Sequence, residues 1–472
     1  MQPLQSPTKT PSPSRLINLL KLSSLILVAY LFVLLFILST SKYSSLYSPL
    51  QELSTPMSLD HIVFSLFTSQ DSWPKSKEYV KLWWNSRTMR GCAFLDRLPP
   101  DADSHNDTSS LPPLCVSEDT SRFRYTHGAQ HRFQIRIARM VLEAVARNHS
   151  NVRWYVFGDD STVFVTENLV KTLSKYDHRL WHYVGANSEN LEQNREFGFK
   201  MAFLGAGFAI SSPLAKVLAR VIDSCIDRYA HLYGGDARVF ACLAELGIGI
   251  IHEPGFHQFD IRGNALGLLT SHPVTPLVSI HSLDQIDPLF PGMNTLHALQ
   301  HFFRAANADP QRVLQQTVCY DRWFSWTISV SWGYAIQVFP NHVYLPDAIK
   351  VGETFRHWRR GNLFTEAYVF NTRELHPVQC ARPTIFFFEK ISKSKDRTKT
   401  TYKRSYLNCT YDDGSPRKIK EIRVHAHKMD LTKKQLQAPR RQCCNVLPSS
   451  SNEALDIAIR ECKEEELIYL HL

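Results

Sequence analysis

The stretch VRWYVFGDDSTVFVTENL, residues 152–169, sets two adjacent carboxylates, Asp159 and Asp160, at the end of an apolar run. Residues 154–157 read as a short buried strand stopped by Gly158, and a polar turn leads into a second apolar segment from Val163. The acids then sit at a strand's carboxyl end, where the loops of an open α/β sheet converge on a ligand crevice. Two carboxylates in that position suit a hard divalent cation, which takes oxygen ligands. The plain alternative is an acidic turn that only ends a strand. The surrounding elements must decide between them.

Several elements could position these acids. HIVFSLFTS from His61 reads as a first strand, SKEYVKLWWNS has helical spacing, and CAFLD reads as a second strand, which together predict a parallel βαβ unit. LCVSED predicts a third strand. RFQIRIARMVLEAVARNH carries Phe133, Ile137, Met140, Val141 and Val145 at helical spacing and feeds the strand that ends in the acids. Beyond them, ENLVKTLSKYD predicts a helix, LWHYVGA a strand, and NSENLEQNREFGF a polar stretch. MAFLGAGFAIS, a helix opened by Pro213, and a Gly-Asp turn feeding another helix at YGGDARVFACLAELG follow. From about residue 283 the pattern is less regular, with a β-rich section at WTISVSWGYAIQVF. A basic tail follows Glu389 and reads as an appended subdomain.

Composition bounds the function classes. The 472 residues are 44% hydrophobic, enough for a substantial globular core. The formal net charge of +10 is dispersed, with local excess in the tail, so it reads as a solvated basic surface; with no nucleic-acid-reading motif, a nucleic-acid partner is disfavoured. The uncharged run 22–38, LSSLILVAYLFVLLFIL, has about the length of a membrane span. Lys9, Arg15 and Lys21 precede it with no acid among them, so the positive-inside rule predicts type II topology: a cytosolic tail over 1–21, a signal-anchor over 22–38 and a lumenal stem over 39–60. A lumenal chain with ten cysteines is expected to pair them at least in part. Cys92 and Cys115 flank one loop, and Cys225 and Cys242 fall on consecutive helices. The pairing of Cys380, Cys409, Cys443, Cys444 and Cys462 stays open. Acceptor triplets for N-glycosylation occur at Asn106, Asn148 and Asn408.

The segments RWYVFGDDSTVFVTENLVKTLSKYD, MAFLGAGFAISSPLAKVLA, ACLAELGI, EPGFHQFDIRGNALGLLTSHP and SWTISVSWGYAIQVF together resemble the plant branch of the Fringe-like glycosyltransferases, over about residues 60–465. The resemblance implies a GT-A-like, Rossmann-type α/β fold with an appended C-terminal subdomain, and Golgi membrane residence. It also implies inverting transfer of a sugar, usually from UDP, to a hydroxyl of a glycan or glycoprotein acceptor in β1,3 linkage. The catalytic core would occupy 61–282, a further part of the transferase region 283–388, and the basic cysteine-containing subdomain 389–472.

That chemistry requires a divalent cation, Mn²⁺ or Mg²⁺, to neutralise the departing diphosphate, and a base on the opposite face of the sugar to deprotonate the acceptor. The resemblance assigns the metal to Asp159, Asp160, position 161 and His257. Position 161 holds Ser161 where related chains carry an acid, a neutral and weaker ligand. It assigns the base to Asp236, although Ala237 stands where similar proteins have a second acid. Gly205 and Gly207 in LGAGF, Thr68 and Asp119 become donor-binding candidates. The departures at Ser161 and Ala237 also admit a second reading, a transferase-fold protein without turnover that binds sugar nucleotide or glycan beside an active enzyme.

Overall fold

The structure, a computed structural model, describes residues 13–46, 55–100, 110–357, 367–449 and 451–468. It divides into two units, Met1–Pro56 and Met57–Leu472. In the first, the helix Pro13–Leu46 includes the uncharged run, and its described side chains over 21–36 are exposed all round, Leu25, Phe32 and Phe36 among them. Among the described residues no helix is long and apolar enough to cross a membrane.

In the second unit, strands Ile62–Phe67, Arg90–Leu95, Leu114–Val116 and Trp154–Asp159 form the parallel part of a seven-stranded sheet. Phe208–Ser211 joins antiparallel beside Trp154–Asp159, followed by Tyr183–Gly185 and Ile250–His252. Strands alternate their side chains between faces. Ile62, Phe64, Leu66, Trp154 and Val156 enter one core; Val63, Tyr155 and Phe157 enter the other, beneath the helices Phe133–Ala146, Ser212–Arg228 and Gly235–Glu245. Both faces are covered, which is why these strands read as continuous apolar runs. The expected polar stretch after Gly185 contains a short helix, Leu191–Phe197, opened by Asn190, whose side chain accepts from Gln193 N–H. Its amphipathic signal is too short to outweigh its polar composition.

Ile62–Phe67 lies between Arg90–Leu95, which follows it, and Trp154–Asp159, which comes two strands later in the chain. The strand order therefore reverses direction at this pair, and a crevice opens between their carboxyl ends. Thr68 and the acids 159–160 stand on its two lips.

A second sheet of eight strands runs from Gln316–Tyr320 to Ala454–Arg460. Its strands Thr327–Ser331 and Ala335–Phe339 form the hairpin within the β-rich section. Ala335–Phe339 then pairs with Thr384–Lys393, which pairs in turn with Arg397–Arg404 from the basic tail. The expected division at 388/389 thus falls inside Thr384–Lys393, at a bulge between Phe388 and Lys390. The tail strands carry every other residue inward, Thr398, Thr400 and Tyr402 or Ile422 and Val424, and their charges outward, so a basic composition coexists with a buried face. One hydrophobic core runs from the first sheet into this second one.

All ten cysteines are paired: Cys92–Cys115, Cys225–Cys242, Cys319–Cys444, Cys380–Cys409 and Cys443–Cys462. The first two link the residues that flank the loop and lie on the consecutive helices. The third spans 125 residues and ties the tail to the strand Gln316–Tyr320.

Candidate functional site

The chain after Trp154–Asp159 turns sharply, and the turn separates the two acids. Asp159 Oδ1 accepts from Ser161 N–H (2.9 Å), Ser161 Oγ (2.8 Å) and Thr162 Oγ1 (3.1 Å), closing the turn locally. Its other oxygen, Oδ2, lies 2.9 Å from His281 Nε2. The two side chains are 23% and 12% exposed. Burial opposes charge on both, but their mutual attraction prevails: the imidazolium and the hydrogen bonds of Ser161 bring Asp159 down to about 2, and the carboxylate raises His281 to about 9. His281 Nδ1 faces Gln258 O at 3.1 Å, so both ring nitrogens meet acceptors and the doubly protonated ring is favoured.

Asp160 points the other way. Its Oδ2 gathers three hydroxyls, Thr68 Oγ1 (2.5 Å), Ser76 Oγ (2.6 Å) and Ser72 Oγ (2.7 Å), while its N–H donates to Phe67 O (3.0 Å). Thr68 ends the strand Ile62–Phe67; Ser72 and Ser76 sit one helical turn apart on Trp73–Val80 and its cap. Burial first, and the charge of Asp159 second, raise the Asp160 carboxyl against the pull of these hydroxyls. Asp160 thereby straps the first strand-to-helix turn to the fourth strand. Arg136 lies beneath the same strand ends, its Nη2 donating to Thr68 O (3.2 Å) and Phe94 O (3.3 Å), with its guanidinium 5.0 Å from the Phe67 ring centroid.

The loop 204–206 is the hub of the crevice. Leu204 N–H reaches Asp236 Oδ2 (3.3 Å), Gly205 O accepts from Thr162 Oγ1 (2.9 Å), and Ala206 N–H donates to Gln258 Oε1 (2.8 Å). Gly205 is required by close approach: a Cβ there would stand 2.3 Å from His281 Cε1. Gly207 is required by conformation as well, with φ +80° and Phe164 Cζ 2.8 Å from a built Cβ. Asp236 opens the helix Gly235–Glu245, accepts also from Ala237 N–H (2.9 Å), and is raised by burial. Gly205, Gly207 and Asp236 thus belong to one connected constellation with Asp159.

His257 has different partners. It lies on Phe256–His257, which runs parallel to Ser279–Ile280; Gln258, next along, faces the hub, and His257 faces Glu189 at 3.0 Å from Nδ1. It is 5% exposed, its Nε2 lacks a hydrogen-bond partner, and its ring stands 4.9 Å from His272. Asp159, Asp160 and His257 do not gather as a three-donor set: among the described residues no cluster of three or more His, Cys, Asp or Glu could hold a metal. As they stand, Asp159 Oδ2 and His281 Nε2 share a proton in a direct hydrogen bond, so a divalent ion would find two donors here only after His281 gave up its Nε2 proton. Asp119 closes its own turn, accepting from Ser121 N–H (2.9 Å) and Oγ (2.5 Å). Asn148 and Asn408 are exposed, and Asn106 lies outside the described residues.

Sequence reasoning missed His281, Ser72, Ser76, Arg136 and Glu189. Three of these had visible signals. Ile280-His281-Ser282 carries an apolar-His-Ser context, and Thr68, Ser72 and Ser76 recur every four residues at a helix start.

No curated protein sequence matches the chain. The family model described as "Protein of unknown function, DUF604" matches residues 193–444, a span that takes in Gly205, Gly207, Asp236, His257 and His281 and leaves Asp159 and Asp160 outside. That match covers more than half of the 472 residues, and the chain belongs to the DUF604 family.

Proposed function

We propose that this chain is a type II membrane glycosyltransferase of GT-A-like fold and Fringe-like type, using a UDP-sugar donor and an acceptor hydroxyl of a glycan or glycoprotein in the Golgi lumen. The observation that carries the reading is the Asp159–His281 pair at the point where the strand order reverses, beside a glycine hub that also binds Asp236. A Mn²⁺ or Mg²⁺ held by Asp159, and by His281 once its Nε2 proton is lost, would supply charge neutralisation for a diphosphate. The chain's own groups do the rest. The hub at 204–206 lets His281 and Gln258 pack onto its backbone where a Cβ on Gly205 would intrude, and Arg136 keeps positive charge beneath the strand ends. Asp236, raised by burial, is suited to accept the acceptor's proton. Full cysteine pairing and exposed Asn148 and Asn408 support the lumenal assignment.

A second reading, a sugar-nucleotide or glycan binding protein without turnover, is favoured by Asp160, whose Oδ2 already gathers three hydroxyls, and by Ser161, which is turned onto Asp159. Calorimetry with UDP and Mn²⁺, paired with UDP-sugar hydrolysis, separates the two. Metal-dependent UDP binding lost in Asp159→Asn, with hydrolysis lost in Asp236→Asn, supports the transferase. Binding without hydrolysis in the native chain supports the second reading. UDP affinity indifferent to chelator and to Asp159→Asn overturns both.

A further inference from the structure

The eight-stranded sheet curls until its two end strands, Gln316–Tyr320 and Cys443–Leu447, lie side by side, joined by Cys319–Cys444. No main-chain ladder joins these two strands among the described residues. Beyond the disulfide they part, with Tyr320 and Asp321 on one wall and Asn445, Val446 and Leu447 on the other, around a groove of about 900 Å³. This is the mouth of a curled sheet, a recurrent place for ligands. We propose that the groove binds a neutral oligosaccharide. The proposal goes beyond the strand-end site and does not depend on turnover there.

The loop 321–326 carries the first part of the argument. Asp321 N–H donates to Trp326 O (2.9 Å), and Asp321 Oδ2 accepts from Phe324 N–H (2.7 Å). The Phe324 ring stacks on Trp326 at 4.5 Å between centroids, Lys418 Nζ sits 3.7 Å from the centre of the Phe324 ring, and buried Trp326 donates from Nε1 to Gly414 O (3.0 Å). Within this pinned loop Trp323 is 91% exposed. A flat indole held out in water beside a groove offers an apolar face to the C–H face of a pyranose ring.

The opposite wall carries Asn445, Ser449 and Asn452; Asn445 Oδ1 accepts from Arg460 Nη2 (3.2 Å) and Ser449 Oγ donates to Ser451 O (3.1 Å), so the Asn445 NH₂ group and the Asn452 amide are the planar partners for sugar hydroxyls. Charge gives a polyanion little to hold: the lining has one carboxylate, Asp321, and two cations, Arg322 and Lys418, and Lys418 is turned to the Phe324 ring and to Asp413 O. A peptide adding itself as a strand is also disfavoured. The edge past the disulfide is three residues long and ends at Pro448, which has no N–H to continue a ladder.

The test uses the full chain in a zwitterionic, sugar-free detergent. Cellohexaose, xylohexaose and mannohexaose are titrated by calorimetry and by acrylamide quenching of tryptophan emission. The expected result is that at least one binds and shields an indole from quenching. Trp323→Ala should weaken it about tenfold and abolish the shielding, and Asn445→Ala should weaken it with the shielding still visible. Unfolding midpoints and UDP binding with Mn²⁺ should be unchanged in both variants. The proposal is overturned if none of the three sugars binds, if binding is the same in Trp323→Ala, or if a heparin hexasaccharide binds in their place.

Discussion

The Asp159–His281 pair should make stability depend on pH in a way that His281→Gln removes. The imidazole is raised from 6.5 to about 9 in the folded chain, a shift worth about 3 kcal/mol. Because the folded value lies above the unfolded one, this stabilisation is complete below about pH 6.5 and disappears as pH rises through about 9. Asp159, lowered to about 2, reports the same attraction from the other side, so the two are not added. The carboxylate sets the acid limit: its contribution is complete above about pH 4 and is lost as pH falls through about 2. Glutamine keeps an N–H donor near the position of Nε2 but carries no charge. Urea unfolding of 57–472, a unit with its own core, is measured in chelator at pH 5.5, 7.5 and 10. The native chain should exceed His281→Gln by about 2–3 kcal/mol at pH 5.5, by less at pH 7.5, and by under about 1 kcal/mol at pH 10. An equal difference at pH 5.5 and pH 10 would refute the ion pair and leave His281 a packing residue.

Gly205→Ala forces a Cβ to 2.3 Å from His281 Cε1, so it should cost about 1–3 kcal/mol and weaken Mn²⁺-dependent UDP binding more than total stability, both read by calorimetry. Ser76→Ala removes one of three hydroxyls from Asp160 and should cost about 1.5–2 kcal/mol in urea unfolding; a neutral result would mean Asp160 does not strap the turn. Ser161→Asp places a second carboxylate against Asp159, so it should destabilise the chain in chelator and tighten Mn²⁺ binding, and a loss without any metal response would exclude a cation there. Replacing Cys319 and Cys444 together by serine frees a 125-residue loop and should cost about 3–5 kcal/mol, with Trp326 emission reporting loosening of the second sheet; an unchanged midpoint would show that the curled sheet closes without the bond.

The sequence by itself determined much of the first sheet. Uninterrupted apolar strands with amphipathic helices between them specify parallel βαβ units because both faces must be buried, although the strand expected to stop at Gly158 runs through it to Asp159, paired with Leu66 and Phe67. From that alone the acids 159–160 fall at a carboxyl edge. The cysteines flanking the loop 93–114 and those on consecutive helices were legible because their partners are close in the chain. The tail was less so: its basic composition hides the alternation of Thr398, Thr400 and Tyr402, and the partner of Cys444 lies 125 residues away.

Only the tertiary structure decided what the two acids do. Consecutive residues past a strand end leave in different directions, so Asp160 turns to the hydroxyls of the first helix and Asp159 turns across the crevice. Which histidine meets Asp159 depends on the parallel register of Phe256–His257 beside Ser279–Ile280, which sends His257 to Glu189 and brings His281 over Gly205. Residue type and local spacing carry no information on that register, because it is set by the packing of segments about 100 and 120 residues from Asp159 against the face of the first sheet.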